Sequence, residues 1–172
     1  MKAVIVIGGL SLALLFQTTL GGMSLEAGTR VNFVLVAVIF ISLLLGPVPG
    51  LLGGMVGGIA QDAVAGGIVG IGGISKTIVG FVVGVFGAQF IVSQPLPRLV
   101  IFVGGTFVHE LCFQALYALA ETHAVRFHYR EVLTQAIVNG IIGIAMFYVM
   151  ESAPGFKARR EARRATFARR RF

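Results

Sequence analysis

Tryptophan is absent from the 172 residues, cysteine occurs once, and Asp, Glu, Lys and Arg together make up 12%. With 56% hydrophobic residues and so little charge, no polar shell can be drawn around an apolar core. A mean hydropathy of +0.92 places the chain in lipid as an all-α integral membrane protein. The lone Cys112 excludes an internal disulfide. Acidic residues number only seven, giving a formal charge of +7, yet eight of the fourteen basic residues lie after Ala153 and the rest of the chain is close to neutral.

What the chain has in quantity is glycine, 24 in all, of which 14 fall between Gly46 and Gly87. At about 1.5 Å per helical residue this stretch is roughly 63 Å long, about twice the hydrocarbon thickness, so it must fold back on itself as two crossings. Gly72-Gly73 is the expected reversal point. The pairs Gly46/Gly50, Gly50/Gly54, Gly53/Gly57, Gly54/Gly58, Gly66/Gly70 and Gly80/Gly84 are each four apart, the spacing that lets helix backbones approach closely in lipid. The two crossings are therefore expected to form the tightly packed centre of the molecule or an interface with a partner.

Apolar runs and their breaks predict six spans, over 3–20, 31–45, 51–71, 74–92, 99–120 and 132–150, forming one transmembrane domain over 1–152. The first run is long for a signal-peptide core and has no cleavage site behind it. Gly46-Pro47-Val48-Pro49-Gly50 marks a helix stop and a reversal. Lys2, Arg98 and the tail, 153–172, fall on one side and Arg30, Lys76, Arg126 and Arg130 on the other, which predicts both termini inside. In that tail Lys157, Arg159, Arg160, Arg163, Arg164, Arg169, Arg170 and Arg171 form a basic cytoplasmic patch suited to anionic lipid or an acidic partner, whereas nucleic-acid binding is not expected. His123 and His128 sit in the outside loop 121–131, whose plain reading is a solvated connection.

Polar residues inside the spans are few enough to weigh singly. Asp62, midway along the third span, costs ~2.5 to 3.5 kcal/mol on an insertion scale and is a candidate for function or partner bonding, its alternative being neutralisation by a proton or by Gln61. Lys76, just past the expected reversal, is read as an anchor snorkelling to the interface. Glu110 shares a helix face with Gln114 and is expected to bond another helix, with Gln17 and Asn139 as the partners in view. His109 points about 100° away from Glu110, and HELCF lacks the second histidine of a zinc site. Adjacent Ser75 and Lys76 diverge around a helix, so an intramembrane serine protease is a minor reading. No cofactor, metal or catalytic residue is assigned.

The order of these features resembles the rod-shape-determining MreD family of bacterial inner-membrane proteins over residues 3 to 152. The resemblance is carried by Phe16-Gln17-Thr18-Thr19-Leu20, by Gly46-Pro47, by Gln61-Asp62 followed by Gly66-Gly67, Gly70, Lys76-Thr77 and Val79-Gly80, and by Glu110. The chain departs from the pattern at Val31-Asn32, where many relatives begin the second span with Pro-Asp, and in its long arginine-rich tail. Membership implies a non-catalytic scaffold of the cell-elongation complex that pairs with a single-span MreC-like protein and works beside MreB, RodA and a class B penicillin-binding protein in lateral peptidoglycan synthesis, with a homodimer left open. It further implies an architecture similar to the substrate-binding subunits of energy-coupling-factor transporters.

That similarity supplies the alternative, a subunit binding a vitamin or other small molecule. Against it, the Gly46–Gly87 block holds only Phe81 and Phe86 as aromatics, and no tryptophan is present to stack on a heteroaromatic ring. On either reading the candidates for a partner interface or polar pocket are Gln17, Gly54, Gly57, Gly58, Gln61, Asp62, Gly66, Gly70, Glu110 and Gln114.

Overall fold

The computed structural model describes residues 2–20, 31–89, 94–121 and 129–152. Among them the chain forms six helices: α1 Lys2–Leu20, α2 Phe33–Leu45, α3 Pro47–Ala65, α4 Ile71–Gln89, α5 Pro95–Glu121 and α6 Tyr129–Ser152. Four of these, α1, α4, α5 and α6, are long and apolar enough to cross a membrane. The histidine-bearing loop and the basic tail lie outside the described residues.

Local chemistry sets the helix ends. Asn32 caps α2, its Oδ1 accepting the Leu35 amide at 3.0 Å, which satisfies one of the donors a helix start leaves free. At the other end of α2, Gly46 adopts φ +96°, a conformation closed to most residues, and Pro47 opens α3 at a position where its missing N–H costs nothing. The reversal between α3 and α4 falls at Gly66–Gly70 and not at Gly72-Gly73. Gly66 at φ +71° ends α3 in the left-handed conformation and Gly70 at φ +109° leads into α4, while Gly72 and Gly73 lie inside the first turn of that helix.

The centre of the molecule is α2, not the glycine-rich pair. Val34 to Ile39 are buried without a break, and α2 touches all five other helices. Its two sides build two apolar cores. Leu35 and Ile39 pack with Val79, Val83, Phe102 and Phe147 from α4, α5 and α6, and Val34, Ala37, Val38 and Ile41 pack with Leu10 and Ala13 of α1. A helix apolar on every side is one surrounded by other elements or by lipid, and here neighbours fill the surround. At about 20 Å, α2 is shorter than the hydrocarbon layer. α1 lies at the periphery, with Val4, Ile7, Leu12 and Leu15 exposed.

Candidate functional site

Two features stand out, a backbone-to-backbone seam and a buried polar cluster at the end of the molecule near the Gly66–Gly70 turn. In the seam α3 and α4 run antiparallel in a register that sets Gly50 against Gly80, Gly54 against Lys76 and Gly58 against Gly72. A methyl group on Gly58 would stand 2.5 Å from the Gly72 carbonyl oxygen, and one on Gly54 would run into the carbonyl of Lys76. One on Gly80 would meet the Gly50 carbonyl and one on Gly84 would meet Pro47. No side chain stands between the helices at these positions, so small residues fix the distance between them. Gly53 and Gly57 belong to another contact. A methyl on Gly57 would lie 2.9 Å from Leu10 and 3.1 Å from Val34, against α1 and α2. Gly66/Gly70, expected as a packing pair, is the turn itself, and a methyl on either meets nothing.

The polar cluster begins at that turn. Asp62 is buried near the end of α3, and its Oδ2 accepts the backbone amides of Gly70 and Gly72, each at 2.9 Å. The carboxylate thus sits on the N-terminus of α4, where amide dipoles favour negative charge. Its compensation comes from backbone, where the sequence suggested a proton or Gln61. Five residues into α4, Lys76 is only 2% exposed, which corrects the expectation that it snorkels to the interface; it lies in the fields of both Asp62 and Glu110. Ser75 is also buried and donates to the Ile71 carbonyl at 2.8 Å, so it makes no dyad with Lys76.

From α5, Glu110 lies beside the side-chain amides of Gln114 and of Gln135 on α6. Gln17 and Asn139, the partners expected for Glu110, are otherwise engaged. Gln17 ties the end of α1 to the start of α2, donating to the Val31 carbonyl at 3.1 Å and accepting the Phe33 amide at 2.8 Å. Asn139 accepts the Asn32 amide at 3.3 Å and donates to Thr106 at the same distance. His109 Nε2 lies 3.3 Å from Asn32 Nδ2 and 3.9 Å from Glu110 Oε1. Because Asn32 Oδ1 is taken by the Leu35 amide, its Nδ2 donates, Nε2 of His109 accepts, and the ring is neutral with its proton on Nδ1.

The structure therefore brings Asp62, Glu110 and Gln114 into one cluster and leaves Gln17 at its edge. Gln61 is half-buried beside Asp62, with a buried Oε1 that has no partner; Gln114 Oε1 and His109 Nδ1 are in the same condition. Gly54, Gly57 and Gly58 face into the molecule. Sequence reasoning missed Asn32, Thr106 and Gln135 as members of the site. An Asn immediately before an apolar run is a helix-start signal and could have marked Asn32. It also missed the far end of the molecule, where Arg98 Nη2 meets Glu151 Oε1 at 2.7 Å and the guanidinium lies 4.2 Å above the Phe147 ring.

Six helices, four of them apolar enough to cross a bilayer, with a charged cluster held in the interior, define a multi-pass membrane protein. Residues 2–153 match the family of the rod shape-determining protein MreD, and the chain belongs to that family. The family is one of structural, shape-determining membrane proteins and is not a known enzyme family. No curated protein and no solved structure matches the chain.

Proposed function

We propose that the chain is a non-catalytic scaffold of the bacterial cell-elongation machinery. It crosses the inner membrane six times with both ends inside and pairs with a single-span MreC-like protein to organise lateral peptidoglycan synthesis beside MreB, RodA and a class B penicillin-binding protein. The family match over residues 2–153 carries this reading. Support for the orientation comes from the basic residues, whose distribution favours the Arg98–Glu151 end inside and the Asp62–Lys76 cluster toward the outside. The proposal includes a helix arrangement like that of the substrate-binding subunits of energy-coupling-factor transporters, and anionic lipid at the tail.

Gly54, Gly58 and Asp62 are consumed by contacts within the chain, so the partner face of α3 and α4 is their opposite side, where Leu52, Val56, Ile59, Ile74, Ile78 and Phe81 are exposed. Co-purification of the full-length chain with the MreC-like protein of the same genome tests the reading. Val56→Trp and Ile78→Trp should weaken capture at least tenfold while leaving the thermal midpoint of the chain alone unchanged. Capture that survives both variants places the partner elsewhere, and no capture by the wild-type chain overturns the pairing.

A further inference from the structure

The helices around α2 do not close. Contacts run from α1 to α3, from α3 to α4, from α4 to α5 and from α5 to α6, but among the described residues α1 and α6 do not touch. Helices of equal width, with axes roughly 8–10 Å apart, pack about six around one, so a place beside α2 is open between α1 and α6. The side of α2 turned to that place carries Phe33, Phe40 and Leu44, which are half-buried, with Ala37 between the two rings. Spacings of four, three and four residues put them on one face, in the period with which one helix meets another. Phe33 stands beside Phe16 of α1, ring centroids 6.0 Å apart, and Phe40 stands beside Phe147 of α6 at 4.6 Å, so the row lies between those two helices.

A second observation is the shape of α1. Among the described residues it touches α2 and α3 alone, and along its other side Val4, Gly8, Leu12, Leu15 and Thr19 are exposed. A methyl on Gly8 meets nothing within 4 Å. α1 and α2 run antiparallel, and three contacts fix their relative heights. Gln17 bonds the backbone on either side of Asn32, Phe16 meets Phe33, and a methyl on Gly9 would lie 3.6 Å from Ile41 Cδ1. Counted from these, Leu15 stands at the height of Val34, Leu12 at that of Ala37 and Gly8 at that of Ile41.

We propose that the chain forms a two-fold dimer in which α1 of each copy occupies the open place beside α2 of the other, between that copy's α1 and α6. A two-fold axis along the membrane normal keeps every height. It brings Leu12 of one copy level with Ala37 of the other, the short residue of the row, and Gly8 to a height between Phe40 and Leu44, so bulk meets small residue along the contact. The operation is reciprocal: both open places fill at once, and the contact closes without recruiting a third copy. It uses none of the exposed α3–α4 face and does not rest on pairing with an MreC-like partner.

The test is cross-linking in native membranes between two differently tagged full-length copies, both Cys112→Ser, one with Leu15→Cys and the other with Phe33→Cys. Oxidation with copper phenanthroline should give a product carrying both tags. Its yield should exceed at least tenfold that of Phe33→Cys paired with Leu111→Cys, which lies on the outer side of α5 near the height of Asn32. Gly8→Leu added to both copies should lower the yield at least tenfold, although within one copy the new side chain meets nothing. Equal yields for the two pairs, or an undiminished yield with Gly8→Leu, overturn the proposal. Photobleaching of single fluorescently tagged wild-type molecules at low density needs no cysteine change and should show two steps. Single steps throughout overturn the dimer and leave the open place to a lipid tail or to the helix of another protein.

Discussion

The two helical hairpins solve the same problem in opposite ways. Along α3 and α4, glycine faces backbone on both sides, with Gly58 against Gly72 and Gly80 against Gly50. Along α5 and α6, glycine is on one side only. Gly143 leaves a hollow that the Phe102 ring fills, and Gly140 leaves one for Leu99, whose Cδ1 would be 2.7 Å from an added methyl. The first hairpin gains from backbone approach, which lipid cannot supply, and the second from a large side chain seated in a gap. The difference teaches that glycine count alone does not say how a helix pair is held; what faces each glycine does.

The comparison breaks hardest in the first hairpin. Gly54→Leu and Gly58→Leu should prevent recovery of folded protein, because the atoms in the way are the Lys76 and Gly72 carbonyls and neither can rotate aside. Even Gly58→Ala should cost about 3 kcal/mol, the upper part of the range for overpacking, read as a lowered midpoint in detergent. No change of a neighbouring side chain should restore it. Gly143→Ala should cost about 1–3 kcal/mol, and here a second change should help: Phe102→Leu in the same chain should recover part of the loss, since the obstacle is a ring. Equal rescue in both hairpins would erase the distinction drawn between them.

How much of this was legible in the sequence follows from what each residue faces. The apolar runs and the Gly46-Pro47 break announce the helices, because lipid demands length and hydropathy from any crossing. The four-residue glycine spacing announces a seam. Its assignment to the centre fails because α2, PheValLeuValAlaValIlePhe, is apolar all round and carries no periodicity to show that protein and not lipid covers it. The turn falls a few residues before the Gly72-Gly73 pair because Gly66, Gly67, Gly70, Gly72 and Gly73 are equivalent as letters, and only the positive φ of Gly66 and Gly70 separates them. The same displacement buries Lys76: with α4 starting at Ile71, Lys76 lies more than one turn inside the helix and not at the interface its position in the sequence suggests. Asn32, Thr106 and Asn139 are brought together across 107 positions of chain, and no local pattern encodes that meeting.

At the far end of the molecule the α5–α6 hairpin is clasped by an ion pair, whereas the glycine hairpin is tied at its turn by Asp62 on the Gly70 and Gly72 amides. Arg98→Met should remove the Glu151 ion pair and the stacking on Phe147 together. Glu151 retains a side-chain exposure of 25%, so solvent screens the charge left behind and the loss should be about 1 kcal/mol. A double-mutant cycle with Glu151→Gln should return a coupling of a few tenths of that, larger at low salt.

The smallest effect carries the sharpest contrast. Gly104 sits in the middle of α5, and a methyl group there meets nothing within 4 Å. In that place glycine only adds conformational freedom to the unfolded chain, so Gly104→Ala should leave packing untouched and stabilise the helix by about 0.5–1 kcal/mol. The neighbouring Gly105 is buried, with an added methyl 2.9 Å from Ile39 Cδ1, and Gly105→Ala should instead cost stability as that flexible end shifts. The two substitutions are identical, adjacent in sequence and opposite in sign, because a step of one residue turns the new methyl by about 100° from open surface to the side of α2. Midpoints that move in the same direction for both would show that helix propensity outweighs contact here, and would remove the ground for reading any of these glycines by what they face.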